Sequence, residues 1–105
     1  MNSISDEWGN MEKEKKKKIK KRRVMMALKA LGASEVCLMG DFNNWNATIH
    51  PMKRNEKGMW VKTVMLPSGR YEYKFLVDGE WWNDPENRDF CQNRFGTLNS
   101  VIIVC

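Results

Sequence analysis

The segment Tyr71-Glu72-Tyr73-Lys74-Phe75-Leu76-Val77 places its largest apolar side chains at every second position and runs directly into Asp78-Gly79. A period of two marks a half-buried β-strand, and Asp-Gly is a strong signal for a two-residue hairpin turn. Together they fix a register. Val77 should oppose Glu80, Leu76 should oppose Trp81, and Phe75 should oppose Trp82. Opposed residues share a face of the sheet. The face of Tyr71, Tyr73, Phe75 and Val77 is large and apolar throughout, so it is the core side, and Trp82 is expected to point coreward with Phe75. Trp81 is expected on the solvent side beside Leu76, with Lys74 as its diagonal neighbour.

The rest of the chain repeats the scheme of short strands with turn residues about every ten positions, an all-β pattern. Strands are expected at Val24–Ala30, Glu35–Met39, Met59–Leu66, Tyr71–Val77, Trp81–Asn83 and Leu98–Val104, with a short edge segment near Ile49–Lys53. Gly32, Gly58, Pro67-Ser68-Gly69 and Asp78-Gly79 punctuate them. Val24–Leu31 has residues of helix propensity, but it is short and ends at Gly32, and it is read as a strand. Thr97 and Asn99 stand two apart, so both polar side chains leave one face just before the apolar run Val101–Val104.

Charge divides the chain in two. The net charge is +5 over 105 residues, yet residues 12–23 alone hold nine basic and two acidic residues, whereas residues 24–105 hold nine of each. Residues 1–22 are therefore expected to be a basic arm, disordered or partly helical, ahead of one domain over 23–105. A neutral domain argues against nucleic acid as the partner. Three cysteines without a CxxC pair suggest reduced thiols in a cytoplasmic setting, with Cys37 a small buried residue of a strand. No apolar run reaches membrane-spanning length, and no signal segment opens the chain. In that setting the Asn46-Ala47-Thr48 sequon would be inert.

Trp45 closes the loop-like run Gly40-Asp41-Phe42-Asn43-Asn44-Trp45. An indole on a polar loop either folds back onto the domain or meets a ligand. Indole faces beside amides, hydroxyls and an ammonium suit a sugar, whose C–H faces stack and whose hydroxyls need donors and acceptors. Trp60 is expected in the core, and Asn43 and Asn44 are expected to form the turn. Asp78, Glu80, Asp84, Glu86 and Asp89 could supply a glycosidase's carboxylate pair, but they fall in turn contexts of a domain too small for a deep cleft. Lone His50 has no triad or metal-ligand spacing, and no cofactor motif is present. The expectation is a non-catalytic binding domain.

These residues also carry a family likeness. Glu35-Val36-x-Leu38-x-Gly40-x-Phe42-Asn43-Asn44-Trp45, then Gly58-x-Trp60, then Gly69-x-Tyr71-x-Tyr73-Lys74-Phe75-x-Val77-Asp78-Gly79-x-Trp81, resembles the glycogen-binding domain of AMP-activated protein kinase beta subunits. It is also similar to the wider carbohydrate-binding module family 48. Asp84-Pro85 and Gly96-Thr97-x-Asn99-Ser100-Val101 continue the match, which runs from about Arg23 to Val104. The resemblance implies an immunoglobulin-like, early-set β-sandwich that binds α-1,4-linked glucan without catalysis. It assigns the stacking tryptophans to Trp45 and Trp81, the contacting lysine to Lys74, and the polar contacts to Thr97 and Asn99. Phe95 stands where the kinase domain has a leucine that projects into the curved glucan. Implied partners are an α-glucan and a kinase or amylolytic enzyme. The alternative is an interaction module that keeps the sandwich and has lost sugar binding.

Overall fold

A computed structural model describes residues 20–105. Eight strands form two antiparallel sheets: β1 (Lys21–Lys29), β2 (Val36–Gly40), β3 (Lys53–Arg54), β4 (Met59–Pro67), β5 (Gly69–Val77), β6 (Glu80–Trp82), β7 (Phe90–Gln92) and β8 (Leu98–Val104). One sheet runs β1-β4-β3; the other runs β2-β5-β8-β7, with β6 also paired to β5. The all-β sandwich is as expected, and Val24–Lys29 is strand rather than helix.

The inner faces interdigitate as alternation requires. Met26, Leu28, Trp60, Val64 and Leu66 from one sheet meet Val36, Leu38, Tyr73, Phe75, Val77 and Val104 from the other. Trp60 is buried, and its Nε1–H donates to the Ala30 carbonyl at 3.3 Å. Tyr73 buries its ring and donates its hydroxyl to Asp84 Oδ2 at 2.6 Å, which ties the Asp84–Asn87 turn to the core. Burial, with the Asp84 carboxylate second, pushes the Tyr73 phenol above its ordinary range.

Three expectations are corrected. The first strand begins at Lys21, earlier than Val24, because Lys21 and Arg22 pair with Pro67 and Leu66, and Arg22 Nε donates to the Cys105 carbonyl at 3.0 Å. Backbone pairing needs no apolar side chain, so composition hid these positions. Residues 1–19 of the expected arm lie outside the described residues. The edge segment near Ile49–Lys53 is an isolated Cys37–Pro51 bridge followed by the two-residue β3. Trp82 opposes Phe75 as the hairpin register requires, yet it remains 36% exposed and stands outside the core. What approaches it from across the sandwich is the Leu31–Ala33 turn rather than a strand of the three-stranded sheet.

The neutral charge count conceals a segregation. β1, β3 and β4 carry seven Lys and Arg residues and no Asp or Glu. Every acidic residue from Glu35 onward lies on the other sheet or in the turns.

Candidate functional site

β5 has three partners, and their arrangement makes the site. β2 covers one edge along Tyr73–Val77. On the other edge β8 pairs with Gly69–Tyr73, after which β6 takes over at Phe75–Val77. Lys74 falls at this fork. Its stem is enclosed, leaving the residue 8% exposed, and its ammonium emerges between the two diverging strands. Nζ donates to Thr97 Oγ1 at 3.2 Å on one side and lies 5.9 Å from the Trp81 ring centroid on the other. The sequence reading offered Lys74 as a solvated strand lysine or a contact residue; the fork holds it fixed.

Trp81 is 52% exposed on the outer face, opposite Leu76. The Asp78-Gly79 turn that aims it has φ of +48° and +85°, the left-handed pair that a two-residue hairpin needs. Trp45 reaches the same spot from a different element. The 3₁₀ turn Asp41–Asn43 is followed by two left-handed residues, Asn44 and Trp45, at φ +54° and +57°. That conformation costs a tryptophan about 1 kcal/mol and persists because the surroundings enforce it. The Trp45 N–H donates to the Gly40 carbonyl at 3.0 Å, and its indole Nε1–H donates to Asp41 Oδ1 at 3.2 Å. The two indoles end with centroids 6.2 Å apart and planes inclined at 65°.

Asn43 is the buried hub of this turn, as a turn former should be. Its Oδ1 accepts from Gly40 N at 3.0 Å, and its Nδ2 donates to Leu38 O at 2.8 Å and meets His50 Nδ1 at 2.9 Å. Gly40 itself must be glycine. A Cβ there would stand 2.8 Å from the Glu72 carbonyl and 2.7 Å from the Phe42 ring.

The remaining wall comes from the hairpin between β7 and β8, which the sequence reading missed. Asn93 Oδ1 accepts the N–H groups of Phe95 and Thr97, while Gly96 supplies the left-handed residue at φ +82°. The same amide donates to Thr97 Oγ1 at 2.7 Å and Asn99 Oδ1 at 3.0 Å. Asn99 Nδ2 then donates to Glu72 Oε1 at 3.0 Å, and the Glu72 N–H donates to Asp41 Oδ2 at 2.8 Å. A continuous polar chain therefore runs Trp45, Asp41, Glu72, Asn99, Asn93, Thr97, Lys74 to Trp81. The Asn99 amide first, then the Cys91 thiol and the Arg70 guanidinium, hold the Glu72 carboxyl below its usual range.

All six side chains expected at the site, Trp45, Lys74, Trp81, Phe95, Thr97 and Asn99, line one open cleft of about 880 Å³. Phe95 stands at its lip, 76% exposed. Asp41, Glu72 and Asn93 belong to the same wall. An Asn followed three residues later by Gly, between short apolar segments, was the available sign of the missed hairpin.

A small sandwich that presents two angled indoles and a preset row of amides and hydroxyls on one outer face is a carbohydrate-binding module. The chain belongs to the family described as the glycogen recognition site of AMP-activated protein kinase, whose model matches residues 22–105. The 5'-AMP-activated protein kinase subunit beta-1 of Sus scrofa is 41% identical over 73 residues, covering 70% of this chain and 57% of that relative. The Homo sapiens beta-1 and Mus musculus beta-2 subunits are 40% and 38% identical over 70% of this chain and 26% of their own length. The chain thus spans between about a quarter and just over a half of these relatives. Among solved structures, a maltogenic amylase from S. marinus matches with a TM-score of 0.68 at 19% identity, over 81% of this chain and 14% of that one, a likeness of fold.

His50 makes the site's scaffold sensitive to acid. It packs on Phe42 at 5.8 Å, and its Nδ1 is positioned to accept from Asn43, which requires the neutral ring. Burial, with Lys62 second, lowers its pKa from the ordinary 6.5. The unfolded state therefore takes up the proton first. His50's contribution to stability is intact above about pH 6.5 and is lost as pH falls through that value toward the lower folded pKa. Melting temperature should drop from pH 7 to pH 5, and His50→Gln should flatten that drop; an equal drop in both proteins would exclude His50 as its source.

Proposed function

We propose that the domain binds α-1,4-linked glucan of the glycogen or starch type without catalysis. The observation that carries this reading is the pair of indoles inclined at 65° over one cleft. Coplanar rings suit a flat, extended polysaccharide, whereas an angled pair suits a chain that turns between successive residues. In this reading Trp45 and Trp81 stack on glucose rings, while Lys74, Thr97 and Asn99 bond to hydroxyls. Phe95 wedges between neighbouring glucose units. The prearranged polar chain lowers the ordering cost of binding, but the cleft is open to water. The affinity should be modest, about 4–7 kcal/mol or millimolar to micromolar.

Two features support a binding role over a catalytic one. The cleft carboxylates Asp41 and Glu72 are both committed to structural hydrogen bonds, and Glu72 is biased toward its charged form, the opposite of a general acid. By kinship with the beta subunits, the domain would work in the cytoplasm beside a kinase or an amylolytic enzyme. Isothermal titration with maltoheptaose tests the reading; absence of heat together with unchanged glycogen retention by Trp45→Ala would overturn it. Phe95→Ala should weaken maltoheptaose about threefold to tenfold, as loss of one exposed aromatic contact does. Phe95→Leu should recover most of that affinity.

A second reading, a partner-binding module, is favoured by the wholly basic β1-β4-β3 sheet, whose outer face exposes Met25 and Met65 beside Arg23 and Lys29. Failure of maltodextrin to quench tryptophan fluorescence, with co-purification of a partner that depends on residues 12–23, would move weight to it.

A further inference from the structure

The same hairpin that aims Trp81 into the cleft carries Trp82 to the opposite face. There the indole lines a separate small cleft of about 250 Å³ with Leu31, Gly32, Ala33, Val77, Asp78 and Glu80. This volume suits a sugar ring rather than an oligosaccharide. An indole on the inner face of a sandwich is ordinarily covered by the facing sheet. Here 36% of Trp82 stays in water, beside a Leu31 that is 80% exposed.

The polar surroundings are divided. Asp78 is occupied: its carboxylate accepts the N–H groups of Ser34 and Glu35 at 2.8–3.1 Å, which fixes the far wall. Glu80 makes no hydrogen bond or ion pair through its side chain among the described residues, so its carboxylate is available as an acceptor. A third group lies between the two indoles. Val77 and Glu80 flank the two-residue turn as a hydrogen-bonded pair, so the N–H and C=O of Trp81 point away from β5. No strand among the described residues pairs with β6 on that side. The free edge of β6 therefore offers one donor and one acceptor midway between an indole on each face.

We infer that Trp82 and Glu80 form a second, smaller glucan-binding subsite, reached across the free edge of β6 from the main cleft. Trp82 stacks on one glucose ring, Glu80 accepts from its hydroxyls, and the Trp81 backbone spans the edge between the subsites. A branched or longer α-glucan then grips the hairpin from both sides, which raises avidity without deepening either site. The inference rests on the glucan-binding reading only for its choice of sugar.

The test is a titration of the ¹⁵N-labelled chain with maltoheptaose, following the indole N–H signal of each tryptophan. In wild type the Trp82 signal should move with a midpoint about tenfold higher in ligand than the Trp45 and Trp81 signals. In the W45A/W81A variant it should still move and saturate, and E80Q should diminish that response. Trp82→Ala should weaken binding of longer glucans about threefold to tenfold. A Trp82 signal that stays still, or that follows the midpoint of Trp81 in wild type and vanishes in W45A/W81A, overturns the second subsite while leaving the main one standing. Movement of Trp82 with Trp45 and Trp81 silent sinks the main reading instead.

Discussion

Replacing both Trp45 and Trp81 with alanine is expected to reduce maltoheptaose affinity at the main cleft at least a hundredfold and to cut retention on immobilised glycogen severely, leaving only the weaker Trp82 subsite. Each indole face buried against a pyranose removes on the order of 100 Å² of apolar surface from water, worth about 2 kcal/mol at roughly 20 cal/mol per Å². Two such losses remove about 4 kcal/mol from a total of about 4–7 kcal/mol, leaving little to measure. Neither residue belongs to the core cluster, and Trp81 is already half exposed, so the variant should keep its fold. Trp45→Ala also vacates Asp41 Oδ1, but the other oxygen still accepts the Glu72 N–H, which holds that wall in place. Circular dichroism and melting temperature check the fold; retention of glycogen within about threefold of wild type would mean that the indoles are not the platform.

How much of this was legible beforehand depends on the kind of interaction. The β5–β6 register was readable because side-chain period and turn chemistry are both local, and the observed pairs Val77–Glu80, Leu76–Trp81 and Phe75–Trp82 follow from them. The burial of Trp82 was not, since it depends on how far the facing sheet reaches. Lys74 could be placed beside Trp81 by alternation, but its enclosure comes from the β8–β6 fork, a long-range feature with no local signature. Asn93 acts within six positions and its turn was legible, whereas Asp41 and Glu72 escaped notice for a related reason. Each acts by holding other side chains, across 31 positions for Asp41 and Glu72 and 27 for Glu72 and Asn99. Family likeness supplied the contact residues, and folding supplies what positions them.

Asn43 is where positioning and stability meet, and its replacement should be the most damaging single change at the site. The residue is 3% exposed, so it cannot touch a glucan. Its amide satisfies Gly40 N and Leu38 O, both on a strand whose five residues are all buried. Asn43→Ala strands that donor and that acceptor together, at about 2–4 kcal/mol. For a domain of this size that corresponds to roughly 10–25 °C in melting temperature. Glucan affinity should fall as well, because the Gly40 carbonyl that anchors the Trp45 N–H lies in the loosened turn. Asn43→Asp is the sharper probe. It preserves the acceptor toward Gly40 but sets an oxygen against Leu38 O and the unprotonated Nδ1 of His50. At pH 7–8 it should cost at least as much as alanine. On acidification a proton on either the introduced carboxylate or His50 restores a donor between them, so the variant should gain stability toward pH 5 where the wild type loses it. Parallel melting curves against pH decide the matter: slopes of the same sign in the two proteins would remove Asn43 from the centre of this turn.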